Sequence, residues 1–333
     1  MTCKMLLFDF RDTEKQFFEE NKFDNFDIKI FKESLDENTI KNLTQEDFDN
    51  TMIISVFITS KITKQILEKF KNLRILSTRS TGFDHIDLQA CLEKNIALIN
   101  VEGYGISSVA QFTFGLILIL VRNFLFSIRA VKNNTFSNCK FTGRNLNNMT
   151  LGVIGTGAIG AGVCQIASGF GMKILAYDTL PKQELIQKYN IEYLTFDDVL
   201  QNSDIISLHI PATKENFQIM SEDKFELMKD NSYFINVSRG ELVKLEDLLK
   251  FVKNKKLSGV GLDVISCNNN SNYTDELSCL ANSTTVKELL SYPNVIITPH
   301  IAYDTQEAVN TILKVTFEGI SDCICGGKKY RVI

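Results

Sequence analysis

The sequence predicts an α/β protein of two doubly wound parallel-sheet domains, the second of them a Rossmann cofactor domain. Three observations carry that prediction. Short apolar runs alternate with amphipathic segments, a second series of strand-sized runs starts near residue 151, and a G-x-G-x-x-G motif opens that second series. At 333 residues the chain is long enough for two cores, and 44% hydrophobic with 23% charged residues is ordinary for a globular protein.

The first series reads KMLLFDF then TEKQFFEENK, TMIISVF then TKQILEKFKN, RILSTRS then DLQACLEK, and IALINV. Strand followed by helix, repeated, implies parallel pairing, because a crossover helix carries the chain back to the same end of the sheet. Ser107 to Val131 is apolar and lacks proline, which predicts one long buried helix leading into the second series. That series reads LGVIGTG, KILAYD, IEYLTF, DIISLHI, YFINVS, SGVGLDV and NVIITPH, with helical patterns after Gly160, Ser221 and Leu245. CNNNSNYTDELSCLANST, 267 to 284, is polar enough to be a surface loop. Because the glycine motif sits near residue 155, a complete unit precedes the cofactor domain, and the last residues return to finish it. The boundaries read from this are 1–103 plus 300–333 for the substrate domain and 104–299 for the cofactor domain.

A net charge of −4 offers no general attraction to nucleic acid or to an anionic membrane, so neither is expected as a partner. The N-terminal apolar run is broken by Asp9 and Arg11, too short and too charged for a secretory signal. Phe112 to Val121 falls well short of the roughly 20 apolar residues of a membrane span. Eight cysteines are scattered without a CxxC or zinc-ligand spacing, which predicts reduced thiols, no metal and a cytoplasmic protein.

In LGVIGTGAIG, Gly155 permits a tight turn, Gly157 lets backbone approach a pyrophosphate and Gly160 lets the following helix pack on its strand. The first residues of that helix, Ala158 and Ile159, bring uncompensated N–H groups toward negative charge. The next strand, KILAY, ends at Asp178, a carboxylate placed to take both ribose hydroxyls and to repel a 2′-phosphate. The cofactor expected is NAD.

Of the histidines, His209 and His300 end strands DIISLHI and NVIITPH, where open α/β sheets bind ligands. His209 suits a structural or cofactor-side role and His300 acid–base work, while His85, in the turn TGFDHID, reads as a surface residue. Arg239, just past the strand YFINVS, could hold a carboxylate through two parallel hydrogen bonds and polarise a neighbouring carbonyl. NAD, an anion clamp and a proton donor together suggest hydride transfer to a 2-keto acid.

These motifs, with RDTE at 11 to 14, RSTGFDHIDL at 79 to 88, VEGYGISSVAQFTFGLIL at 101 to 118, INVSRG, GLDV and PNVIITPHIAYDT, run nearly the length of the chain. In that order they resemble the D-isomer-specific 2-hydroxyacid dehydrogenases, most closely the D-lactate dehydrogenase branch. The resemblance implies an enzyme acting on a small 2-keto or 2-hydroxy acid, a flavodoxin-like substrate domain and a Rossmann NAD-binding domain with a hinge cleft that closes around that substrate, and a homodimer built on the long helix. Carried over residue by residue, Arg239 binds the substrate carboxylate and carbonyl, and His300 is the acid–base. Thr81 and Gly82 grip the carboxylate with backbone, and Tyr104 stands near the substrate's methyl end. His209, Pro211 and Asp263 join the cofactor side.

The chain departs from the family at one catalytic position. A glutamate is expected five residues after Asp263, where it would hydrogen-bond the histidine and keep it protonated, and Asn268 stands there instead. No acidic residue occurs from Val264 to Thr274, so Asp275 and Glu276 could substitute only if the segment folds back. An amide favours the imidazolium less than a carboxylate does, so reduction is expected to be slow or shifted toward acid. Two other readings follow: an NAD(H)-binding regulatory or scaffold protein that has lost turnover, and oxidation of a substrate that needs no proton relay.

Overall fold

The computed structural model describes residues 2–138, 141–266 and 276–333, which form two compact units, Met1–Tyr104 with Asp304–Ile333, and Gly105–Tyr303. In the first unit β1 (Cys3–Leu7), β2 (Phe26–Ile30), β3 (Ile53–Val56), β4 (Ile75–Thr78) and β5 (Ala97–Ile99) make one parallel sheet in the order β2-β1-β3-β4-β5. The order reverses between β1 and β3, and there the loops leaving the two strands diverge to opposite faces. Leu6, Ile54, Leu76 and Leu98 fill one face of this sheet, and Met5, Ile53, Ile75 and Ile99 pack on the other against Phe317 and Ile320 of the helix Gln306–Ile324. The chain's last segment thus completes the sheet's cover.

The second unit holds β6 (Thr150–Ile154), β7 (Lys173–Tyr177), β8 (Glu192–Tyr193), β9 (Ile205–Leu208), β10 (Ser232–Asn236), β11 (Leu257–Leu262) and β12 (Val295–Ile297), all parallel, in the order β12-β11-β10-β9-β6-β7-β8. This is the doubly wound dinucleotide-binding arrangement, with its switch point between β6 and β9. Its strands are apolar on both faces because helices cover both sides.

Three expectations are corrected here. The predicted long helix is two, Ile106–Val121 and Phe124–Lys132, bent by 60°. Asn123 sits between them at φ +55, its side-chain amide donates to the Thr142 carbonyl, and the Arg144 N–H takes the Val121 carbonyl that helical continuation would have used. A Cβ at Gly143 would stand 2.5 Å from that same carbonyl, so the returning chain wedges the helix open at this point. The first of the two is buried as expected, and the second is not. No single helix among the described residues is long and apolar enough to cross a membrane.

The expected loop at 267 to 284 contains the helix Glu276–Asn282, and a further helix, Thr284–Ser291, is capped by the Ser283 hydroxyl accepting from the Val286 N–H. Cys279 and Val286 reach the core of the second unit, which anchors a segment whose composition is polar. Cys279 is also disulfide-bonded, against the expectation of reduced thiols throughout; no spacing signal in the sequence marks it. Cys3, Cys91, Cys164, Cys323 and Cys325 are free, and burial pushes the Cys91 thiol up to about 11 and the Cys164 thiol up to about 12.

Candidate active site

Parallel strands align their C-terminal ends, and register fixes which residues share that edge. In the second unit Ile154 lies opposite both Tyr177 and Leu208, Leu208 opposite Asn236, Asn236 opposite Leu262, and Leu262 opposite Ile297. The residues that follow are Gly155, Asp178, His209, Val237 to Arg239, Asp263 and Thr298 to His300. The candidates of this unit among the described residues therefore stand along one sheet edge or on the turns that leave it.

At the switch point, Gly155 adopts φ +93 and a Cβ on it would come within 2.7 Å of the His209 carbonyl. At Gly160 a Cβ would strike the Gly155 carbonyl, whereas at Gly157 it would meet nothing within 4 Å. The loop is thus closed on its protein side and open on the other. The helix Ala158–Gly169 has no side-chain cap, so the N–H groups of Ala158, Ile159 and Gly160 are left for an anion. Asp178 braces the loop: its Oδ2 accepts from the Thr156 N–H at 2.6 Å and the Thr156 hydroxyl at 2.9 Å, and its Oδ1 from the Leu180 N–H. Burial pushes the Asp178 carboxyl up, and these hydrogen bonds outweigh it, leaving the group below its ordinary value and ionised at neutral pH.

His209 bonds the Ser207 hydroxyl through Nε2 at 2.9 Å, and burial pushes its imidazole down to about 3, so the ring is neutral. Its Nδ1 is buried without a partner among the described residues, an orphaned polar atom beside the glycine loop. Pro211 is exposed, with its carbonyl accepting from the Asn216 amide. An open cradle of N–H groups, an ionised carboxylate at the end of β7 and an orphaned ring nitrogen fit a dinucleotide.

Asn236, fully buried at the end of β10, shapes the turn that carries Arg239. Its amide donates to the Arg239 carbonyl at 2.8 Å, and its oxygen accepts from the Ser238 N–H at 3.1 Å. The Ser238 hydroxyl donates to the Ile210 carbonyl, and the half-buried guanidinium of Arg239 donates from Nη1 to the Ser238 carbonyl. Gly240 has no room for a Cβ, which would lie 2.2 Å from the backbone of Ile265. The segment leading to Asn268 therefore lies directly on the Arg239 turn. Asn268 and Asp275 themselves lie outside the described residues.

Asp263, wholly buried at the end of β11, organises the turn after β12. Its Oδ1 accepts from the Thr298 hydroxyl at 2.5 Å and the Ile301 N–H at 3.0 Å, its Oδ2 from the Ala302 N–H at 2.8 Å, and its carbonyl from the His300 N–H at 2.9 Å. This clasp holds His300 at φ +55, a conformation rare for a residue with a side chain. Asp263 is wired to His300 through backbone, a role its position alone does not reveal.

In the first unit Thr81 and Gly82 follow β4, and Tyr104, half-buried, follows β5 and Gly103 at φ +76. The Thr81 carbonyl accepts from the Asn100 amide at 3.0 Å, and the Thr81 hydroxyl donates to the Val101 carbonyl at 2.9 Å. The Gly82 carbonyl accepts from the Ser80 hydroxyl at 2.6 Å. Among the described residues the N–H groups of Thr81 and Gly82 donate to no protein acceptor, so this segment is tied down by its oxygens and offers its donors. His85, expected on the surface, is half-buried and bonds Thr78 through Nε2, which is a correction. Among the described residues no cluster of three His, Cys, Asp or Glu could hold a metal ion.

A glycine cradle at a doubly wound switch point, with Arg239 and His300 farther along the same edge, fits an NAD-dependent oxidoreductase. Residues 114–302 match the NAD-binding domain of the D-isomer-specific 2-hydroxyacid dehydrogenases. The chain is 36% identical over 272 residues to an aromatic 2-oxoacid reductase of Clostridium sporogenes, covering 81% of this chain and 82% of that one. It is 38% identical over 271 residues to a D-specific alpha-keto acid dehydrogenase of Enterococcus faecium, covering 81% and 82%. The D-lactate dehydrogenase of Aquifex aeolicus, solved with NAD and lactic acid, superposes with a TM-score of 0.84 at 33% identity over 98% of both chains. The protein belongs to the D-isomer-specific 2-hydroxyacid dehydrogenase family, resembles its D-lactate dehydrogenase-like branch, and uses NAD.

Proposed function

We propose that the protein reduces a 2-keto acid to the D-2-hydroxy acid, with Arg239 as carboxylate anchor, His300 as proton donor and Asn268 as a neutral orienter of that histidine. The observation that carries this reading is the spacing of Arg239, Asp263 and His300 on the ends of three neighbouring strands, β10, β11 and β12. The guanidinium is tethered through Nη1, and its other N–H donors suit the two oxygens of a carboxylate. His300 hands a proton to the carbonyl oxygen as the carbonyl carbon is reduced, and an amide oxygen accepts the ring's other N–H to hold its orientation. Bound NADH supplies the hydride. The N–H groups of Thr81 and Gly82 suit the substrate carboxylate, and Tyr104 suits the substrate's side-chain end.

For the cofactor, Gly155, Gly157, Ala158, Ile159 and Gly160 take the pyrophosphate, Asp178 the ribose hydroxyls, and His209 and Pro211 border the nicotinamide side. Asp263 serves that side by shaping the 298–302 turn, since its oxygens are already engaged. The relatives' substrates, an aromatic 2-oxoacid and lactic acid, bracket a range of side-chain sizes. We place the protein in the cytoplasm and read it as a homodimer, the latter on the exposed apolar face of the helix Phe124–Lys132.

The test is NADH oxidation with 2-keto acids from pyruvate to phenylpyruvate, followed from about pH 5 to about pH 8. Turnover rising toward acid is the expected result, and the preferred keto acid reports the pocket. NADH binding without turnover at any pH would favour the regulatory reading instead.

A further inference from the structure

We infer that His85 is a positioning residue for the substrate carboxylate, acting through two buried hydroxyls on the backbone of Gly82. The inference rests on the reading of Thr81 and Gly82 as a carboxylate-holding segment and names what holds that segment in place.

The contacts form a chain. His85 Nε2 lies 3.2 Å from the Thr78 hydroxyl, that hydroxyl lies 2.6 Å from the Ser80 hydroxyl, and the Ser80 hydroxyl donates to the Gly82 carbonyl at 2.6 Å. Thr78 is fully buried and Ser80 is 2% exposed, so water does not compete at either link. Each hydroxyl carries one proton, and this fixes the direction of every bond. Ser80 gives its proton to Gly82, and so must accept from Thr78. Thr78 has then given its proton away, and can only accept from His85. The imidazole is therefore the terminal donor, with its proton on Nε2.

Burial pushes the His85 imidazole below its ordinary value, against the opposing pull of Asp9 and Asp84. Either protonation state keeps the Nε2–H, so the chain survives titration of the ring. The His85 carbonyl also accepts from the Ile62 N–H and the Asp87 N–H donates to the Ile62 carbonyl, which tie the turn to the neighbouring loop. The ring is thus a fixed donor on a fixed backbone. Without it the Thr78 hydroxyl can turn away from Ser80, the Ser80 proton is no longer committed to Gly82, and the bare N–H groups at 81 and 82 lose their aim.

The experiment measures dissociation of oxamate, a non-reducible keto-acid mimic, from the enzyme–NADH complex in wild type, His85→Ala, Thr78→Val and the double variant. NADH affinity and melting temperature are followed in each. A hydrogen bond in such a chain is worth about 1 kcal/mol, so His85→Ala should weaken oxamate roughly fivefold with NADH binding unchanged. Thr78→Val cuts the chain while keeping the side-chain shape, and in that background His85→Ala should have no further effect. His85→Gln, which can still donate to Thr78, should recover much of the loss. Additive effects of the two substitutions would overturn the relay. Loss with Thr78→Val but not with His85→Ala would overturn the role of His85 and leave the carboxylate-holding segment standing. No change in either variant would overturn both.

Discussion

A carboxylate beside an acid–base histidine favours the imidazolium, and an amide gives up that help. Asn268→Glu is therefore expected to raise keto-acid reduction at neutral pH by roughly tenfold, the worth of one charge-assisted hydrogen bond at the low end of its range. Rates of NADH oxidation near pH 7 and near pH 5 check it. A variant no faster than wild type at either pH would mean that Asn268 is not the neighbour of His300. At this scale the sequence marked Gly155, whose φ of +93 admits little but glycine, and it put Arg239 and His300 at strand ends, where the structure has them. It was silent on wiring. Nothing in the spacing of Asn236 announces that its amide holds the Arg239 turn, or that Asp263 sets the backbone of His300, because both act through contacts with chain that is distant or irregular.

The helix Phe124–Lys132 turns Phe124, Ile128 and Val131 outward, at 44%, 50% and 62% exposure, on one element. Side chains four and three apart share a helix face, so these make a continuous apolar stripe rather than scattered exceptions. Replacing Ile128 and Val131 together by Glu should convert a homodimer to a monomer with little change in far-ultraviolet circular dichroism. Sedimentation velocity reads the outcome, and a variant that remains dimeric would move the interface elsewhere. Apolar periodicity located this segment and misjudged its burial, because an apolar helical pattern does not say whether its face is covered by the same chain. The bend before it arises from the chain at 142–144 and has no local signal beyond Asn123. β2 was missed for the opposite reason. As an edge strand with an exposed alternating pattern it carries too few apolar residues to stand out.

Each unit of the molecule contains a buried carboxylate clamped by two lysines. Asp47, 1% exposed, meets Lys4 at 3.0 Å and Lys29 at 2.7 Å, and also accepts from the Thr44 N–H. Asp247, 2% exposed, meets Lys244 and Lys250 at 3.0 Å and accepts from the Glu222 N–H. Burial pushes both carboxyls up, and the hydrogen bonds from lysines and backbone more than reverse it, so both lie below the ordinary carboxylate range. A depressed folded-state value means that the stabilisation is complete above the unfolded value of ~3.9 and is lost as pH falls through the folded value. Both units should therefore weaken below about pH 4. Asp47→Asn is expected to cost about 2 kcal/mol at neutral pH and to flatten the acid dependence of the first unit alone. Urea denaturation at about pH 7 and about pH 3, with and without NADH, separates the two, since NADH should raise only the transition of the unit that binds it. The NADH-insensitive transition should then lose its pH dependence in Asp47→Asn and keep it in Asp247→Asn, and the reverse pairing would place the acid-sensitive clamps in the wrong units.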